Sequence, residues 1–129
     1  MVKEEEEKKV AGASINLGWE ETYKEFTRTT AQYPKEVEME YLMIGLANEV
    51  GEVLGKFKKH LRGDKMVVQD FNKALESELG DVLWYWTQGC TALGFTPDEV
   101  MDENIRKLEQ RYPNGFEVIR SEVREDGDI

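Results

Sequence analysis

The chain has one cysteine, one histidine and three prolines in 129 residues. A lone cysteine, Cys90, makes neither an intrachain disulfide nor a cysteine-based zinc site, which points to a reducing, cytoplasmic setting. Basic residues are scarce too: 17 Lys and Arg face 27 Asp and Glu, leaving a net charge of −10. Extended contact with a nucleic-acid backbone needs a basic face, so no nucleic acid is expected as a partner. No apolar run approaches the roughly 18–20 residues that cross a bilayer, and the N-terminus lacks a signal peptide's apolar core, so no membrane partner is expected either. What is present is globular in composition: 40% hydrophobic and 34% charged residues, enough for one domain around one small core.

Residues 1–15 open with MVKEEEEKK, a charge run with no apolar face, and read as a disordered lead-in. Residues 16–115 read as a helical domain and 116–129 as a tail. From Asn16 onward, Trp19, Tyr23, Phe26, Thr30 and Tyr33 recur at helical spacing until Pro34 ends the segment. A second helix runs from about Glu36 to Leu61 on Leu42, Leu46, Val50, Val53, Phe57 and Leu61, and Arg62-Gly63-Asp64 stops it. The third carries Phe71, Leu75, Leu79, Val82, Trp86 and Cys90 and closes near Gly94. The fourth opens at Thr96-Pro97-Asp98-Glu99, a capping box with proline in the first helical position. It turns Met101, Ile105, Leu108 and Tyr112 inward and stops at Pro113-Asn114-Gly115. Period-2 alternation is absent outside a short stretch after Phe116, so the fold class is all-α, a four-helix core bundle.

The two middle helices repeat one another. Leu46 to Leu54 matches Leu75 to Leu83 at a constant offset of 29, and the match extends outward from Leu42/Phe71 to Phe57/Trp86. A repeated helix pair can fold as a hairpin with an approximate two-fold axis. At about 100° per residue, Glu49 and Glu52 lie about 60° apart beside the apolar arc of their helix, and Glu78 and Asp81 take the same place on theirs. Packing the arcs together brings four carboxylates to one edge. Such a cluster repels itself and loses hydration, so it calls for cations, and hard all-oxygen ligands favour Mg²⁺ or Mn²⁺. A single Glu-x-x-Glu would be ordinary surface decoration; two copies at matched positions are not. A ferritin-like di-iron site, which needs Glu-x-x-His on two helices, is ruled out because the only histidine, His60, stands about three turns from Glu49.

The fourth helix adds the opposite sign: Asn104, Lys107 and Arg111 form one stripe beside Met101, Ile105 and Leu108. Lys56 falls between Glu49 and Glu52 on its helical wheel, and Tyr85 takes the equivalent place on the third helix. Lys107 and Arg111 could equally be solvated or paired with Glu103. Beside a metal–carboxylate cluster, however, amide, cation and phenol donors are what a polyphosphate would need.

Glu49-x-x-Glu52 followed by Glu78-x-x-Asp81 resembles the signature of the MazG-like all-α nucleoside triphosphate pyrophosphohydrolases. The surrounding segments Gly45-Leu-Ala-Asn-Glu-Val-Gly-Glu-Val, Glu78-Leu-Gly-Asp-Val-Leu-Trp-Tyr and Asn104-Ile-Arg-Lys-Leu-Glu-Gln-Arg-Tyr-Pro are similar too, so the resemblance covers Trp19 to Gly115. It implies a homodimer or homotetramer whose active sites are lined partly by a partner subunit. It also implies Mg²⁺-dependent cleavage of nucleoside or deoxynucleoside triphosphates between the α and β phosphates, giving a monophosphate and pyrophosphate. The metal ligands it implies are Glu49, Glu52, Glu78 and Asp81; the substrate contacts are Asn104 and Lys107, with Tyr85, Arg111 and Lys56 beside them. No histidine or cysteine is required, since divalent ions reverse the local charge and activate a water.

Some residues read as structure. Cys90 and Trp86 lie on the third helix's apolar arc, and the stripe from Trp19 to Tyr33 reads as core before base pocket, although its aromatics are the first candidates for stacking on a base. Trp84, on the polar side beside Gly80, and Gly51 in the matching place suggest close contact with another helix or a second subunit. The run Lys56 to Arg62, with His60, reads as a solvated helix end. The function expected is control of a nucleotide pool by pyrophosphohydrolysis. The alternatives are a relative specialised for dUTP or dCTP, which the same motif would serve, and a non-catalytic acidic helical oligomer that binds metal for structure.

Overall fold

In a computed structural model of the chain, residues 18–64 and 68–118 are described, with their side chains except those of Glu20, Val68 and Gln69. They form four α-helices: α1 (Trp19–Thr29), α2 (Glu38–Leu61), α3 (Val68–Ala92) and α4 (Pro97–Arg111), with a 3₁₀ turn at Lys35–Val37 leading into α2. Among the described residues no strand forms, only an isolated bridge between Pro113 and Gly115. The fold is all-α as expected.

The helix boundaries follow from local chemistry. α4 starts on the expected capping box: Thr96 Oγ1 accepts from the Glu99 amide at 3.2 Å, and the Glu99 carboxylate accepts from the Thr96 amide at 2.8 Å. Gly94 and Gly115 adopt φ of 83° and 87°, left-handed conformations that suit glycine after a helix. α1 is shorter than its spacing suggests, ending at Thr29 and leaving Thr30 and Tyr33 in a loop. The hydroxyls of Thr27, Thr29 and Thr30 donate back to the carbonyls of Lys24, Phe26 and Thr27. Such local bonds compete with the helical ladder, and Pro34 disfavours helix in the residue before it. Residues 119–129 lie outside the described residues, as does the charged segment 1–17.

α2 and α3 form the expected antiparallel hairpin. Near the turn, Phe57 meets Phe71 edge-on at 5.2 Å and His60 stacks on Phe71 at 4.7 Å. Midway, Lys56 pairs with Glu78; further on, the Tyr85 ring lies over Gly45, where an added Cβ would sit 2.0 Å from Tyr85 Cε1. Only a glycine at 45 admits the ring, which sets how closely the two helices approach there.

The core differs most from expectation. Among the described residues the buried apolar side chains are Leu42, Cys90 and Pro97, while Thr22, Thr27, Thr87 and Gln88 are buried polar ones. Gln88 Oε1 accepts from Arg28 Nη1 at 2.7 Å, which ties α3 to α1, whereas the buried Gln88 Nε2 has no partner. The arc on α2 splits lengthwise. Leu42, Leu46 and Val53 turn inward, but Val50, Leu54 and Leu61 face outward, and Phe57 and Met43, though they reach Phe71 and Gly89 of α3, stay 43% and 42% exposed. Leu79 and Leu83 do the same on α3, and α4 turns Met101, Ile105 and Leu108 outward rather than inward. Trp19, read as core, is 65% exposed. The reason is geometric: α1 and α4 pack against α3, so no described element covers the outer side of the hairpin.

A three-carboxylate cluster beside an aromatic cleft

Glu49 on α2 and Glu78 and Asp81 on α3 come together at the middle of the hairpin, each offering a carboxylate oxygen within 4.8 Å of the others. The repeat explains the meeting, since each acid stands just beyond the inward half of its helix's apolar arc and antiparallel packing places those edges side by side. Glu49 and Glu78 are half-buried and Asp81 exposed. Burial pushes the Glu49 carboxyl above the usual carboxylate range, and the charges of Asp81, Glu78 and Glu52 push it the same way, against a hydrogen bond from Asn48. Glu52, grouped with the other three by its motif, is exposed and outside the cluster, but close enough to be felt by Glu49. From α1, Tyr23 faces the same field: burial and then Asp81 raise its phenol.

The donor set fits a divalent cation. Opposite oxygens around one octahedral Mg²⁺ stand about 4.2 Å apart at ~2.1 Å per bond, so small side-chain rotations would close the three carboxylates on an ion. Hard oxygen donors suit Mg²⁺ and Mn²⁺ alike. Among the described residues, the ammonium paired with the cluster is Lys56, whose Nζ lies 3.1 Å from Glu78 Oε1. Lys56 was expected to meet phosphate; here it meets a carboxylate of the opposite helix.

A cavity of about 390 Å³ opens directly beside the acids, lined by Tyr33, Tyr41, Trp84 and Tyr85 with Thr30, Gln32, Glu49 and Asp81. Its walls are braced. Tyr33 and Tyr41 stack at 5.1 Å, Trp84 meets Tyr85 edge-on at 4.9 Å, and the Trp84 indole N–H donates to Thr30 Oγ1 at 2.8 Å. Burial holds the Tyr85 phenol above its usual range, reinforced by its contact with Tyr41 and by the charges of Glu49 and Asp81. Outside the cleft, Lys35 Nζ sits 3.9 Å from the Tyr33 ring centroid.

Of the residues expected at the site, Glu49, Glu78, Asp81, Lys56 and Tyr85 are therefore together. Asn104 is exposed and Lys107 half-buried, and neither makes a hydrogen bond or ion pair with the three acids. Glu103 pairs with Arg106 rather than with Lys107, and the Arg111 guanidinium lies 5.9 Å from the Tyr112 ring. Among the described residues, nothing comes within 4 Å of an added Cβ at Gly51 or Gly80, so neither glycine marks a close helix contact there. Trp84 contacts the α1 loop instead.

The comparisons with known proteins agree with this geometry. The profile of the MazG nucleotide pyrophosphohydrolase domain matches residues 37–116, more than half of the chain and all of the acids. The chain belongs to the MazG nucleotide pyrophosphohydrolase family. A relative in Mycobacterium phage L5, described as "Gene 37 protein", is 37% identical over 78 residues, covering 60% of this chain and 68% of the phage protein. No solved structure matches the chain. The MazG match begins at Val37, so Tyr33 and the α1 loop, which form one wall of the cleft, lie outside it.

Tyr41 and Trp84 are the cleft aromatics that sequence reasoning did not place at the site, whereas Tyr23 and Tyr33 belong to the stripe whose aromatics it named as candidates for stacking on a base. A signal for Tyr41 and Trp84 was present: Tyr41, Gly45 and Glu49 follow one another at i, i+4 and i+8, and Asp81 and Trp84 at i and i+3, so each aromatic extends an acid's stripe by about a turn. Among the described residues, no helix is long and apolar enough to cross a membrane.

Proposed function

We propose that this MazG protein hydrolyses nucleoside or deoxynucleoside triphosphates between the α and β phosphates with Mg²⁺ or Mn²⁺, and so shapes a nucleotide pool. One observation carries the reading: three convergent carboxylates share a wall with an aromatic cleft. A nucleotide has the matching two ends, a polyanion that needs cations and a flat heterocycle that stacks on aromatic rings.

In this reading Glu49, Glu78 and Asp81 hold the cation, with Glu52 completing the set as the family resemblance implies. When bound, a divalent ion neutralises phosphate charge and activates water. The chain's own residues do the rest. Tyr33, Tyr41, Trp84 and Tyr85 receive the base, and the shared wall fixes the distance from base to phosphates, which positions the reacting bond. Water adds across the α–β anhydride, yielding a monophosphate and pyrophosphate, and a carboxylate of the cluster accepts the proton.

A second copy of the chain completes the picture. The outward residues Val50, Leu54, Phe57, Leu79, Leu83, Met101, Ile105 and Leu108 are more apolar surface than an isolated small domain usually leaves open. A homodimer or homotetramer would cover it and could bring the Asn104, Lys107 and Arg111 stripe to the phosphates of a shared site. The test is to incubate the protein with the common NTPs and dNTPs, with Mg²⁺ and with EDTA, and to quantify pyrophosphate and orthophosphate. Metal-dependent pyrophosphate supports the reading and ranks the bases. Orthophosphate alone, or no product with either Mg²⁺ or Mn²⁺, overturns it.

A further inference from the structure

Lys56 is set apart from the other cations. The pairs Lys24–Glu21, Lys35–Glu38, Arg62–Asp64, Lys73–Glu76 and Arg106–Glu103 join near neighbours in sequence. Lys56–Glu78 instead crosses from α2 to α3 and ends on one of the three clustered carboxylates. It is also the better shielded, with side chains 26% and 15% exposed, so its charge acts with less solvent screening. Three acids crowded within 4.8 Å repel one another and need positive charge, and the Lys56 ammonium supplies it at 3.1 Å from Glu78.

We infer that Lys56 is a resident counter-ion of the acid cluster, holding Glu78 while the site is metal-free and displaced from it when a divalent cation binds. The inference rests on the proposed metal site. The ammonium and the cation answer the same negative charge, and a cation within ~5 Å of Nζ would repel it. Breaking the ion pair is therefore part of the work of metal binding, and Lys56 weakens metal affinity while stabilising the empty protein. Released from Glu78, the ammonium on its flexible stem becomes available to phosphate oxygens, the role its wheel position suggests. A cluster tuned in this way stays intact without metal and exchanges its ion readily.

A purely structural ion pair would behave differently, because its contribution would persist in the metal-loaded protein. The experiment compares the full-length wild type, Lys56→Met and Lys56→Arg by Mn²⁺ titration calorimetry and by thermal melting with and without saturating Mn²⁺. Lys56→Met is expected to bind Mn²⁺ about five- to tenfold more tightly, as loss of a partly shielded charge pair of ~1 kcal/mol implies. Its melting temperature should be lower than wild type without metal and equal to it with metal. Lys56→Arg, which keeps the charge, should stay near wild type in affinity. Unchanged or weaker Mn²⁺ binding by Lys56→Met, or a melting deficit that persists with metal, overturns the inference and leaves the metal site standing. Absence of Mn²⁺ binding by the wild type overturns both.

Discussion

The two copies of the internal repeat start from nearly the same residues and end in different surroundings. Val50 and Leu79 are equivalent, as are Leu54 and Leu83, and all four face outward. At these two pairs the hairpin keeps its two-fold pattern, which ends at outward Leu61, whose equivalent Cys90 is buried. On the inner side the pattern breaks. α3 places both its acids in the cluster, but α2 places Glu49 there and leaves Glu52 outside. At one pair of equivalent positions, Lys56 ties down a carboxylate and Tyr85 lines a cleft. Gly45 admits the Tyr85 ring, whereas its equivalent is Ala74. The two copies thus match at the outward pairs Val50/Leu79 and Leu54/Leu83 and differ on the inner side, where the acids and the cleft lie.

The largest effects are expected where the acids differ. Glu78→Gln and Asp81→Asn should each lower pyrophosphate release about a thousandfold or more with helix content unchanged by circular dichroism, since each removes a clustered charge with little change in volume. Glu52→Gln should cost at least tenfold less than either. Equal losses at Glu52 and Glu78 would show that the inner asymmetry closes when metal binds.

Next comes Gly45→Ala, which makes the first copy like the second. The added Cβ has to displace the Tyr85 ring, so overpacking should cost about 1–3 kcal/mol by urea unfolding and weaken substrate binding more than Mn²⁺ binding. Ala74→Gly should leave substrate binding unchanged and cost only the helix propensity, about 1 kcal/mol. On the outer side, Leu54→Lys and Leu83→Lys should act alike, each weakening self-association at least tenfold by sedimentation equilibrium. A large effect from one and none from the other would break the outer symmetry.

The smallest contrast is at Leu61 and Cys90, which are also equivalent. Leu61 is 82% exposed and Cys90 5%. Leu61→Ser should change stability by less than ~0.5 kcal/mol, whereas Cys90→Ser should cost about 1–2 kcal/mol. Burial also raises the Cys90 thiol pKa, so thiol reagents at pH 8 should label it slowly until urea unfolds the chain.

Much of this was legible beforehand. Helical spacing located all four helices, the capping box at Thr96 began α4 at its true start, and the repeat predicted the hairpin and a four-acid edge, of which three acids cluster. Periodicity says that a stripe is apolar, not what covers it. Hence Val50, Leu79 and Ile105 were read as core when the chain itself leaves them open. Spacing also carried α1 through Thr30 to Tyr33, because threonine hydroxyls that bond back to the ladder are invisible to a hydrophobic pattern. That error hid the cleft, one wall of which is the loop. The Lys56 partner was hidden for a different reason: a helical wheel ranks a residue among its own helix's neighbours, and Glu78 lies on the other helix.

The proposed reaction requires the clustered carboxylates to direct hydrolysis of one particular phosphoanhydride bond. Phosphorus NMR of a dNTP mixed with the protein and Mg²⁺ reads that bond directly, with Glu78→Gln as the paired sample. Growing pyrophosphate and monophosphate resonances are expected with wild type, and a static triphosphate spectrum with Glu78→Gln. A diphosphate with orthophosphate, or undiminished turnover by Glu78→Gln, would contradict the proposed reaction.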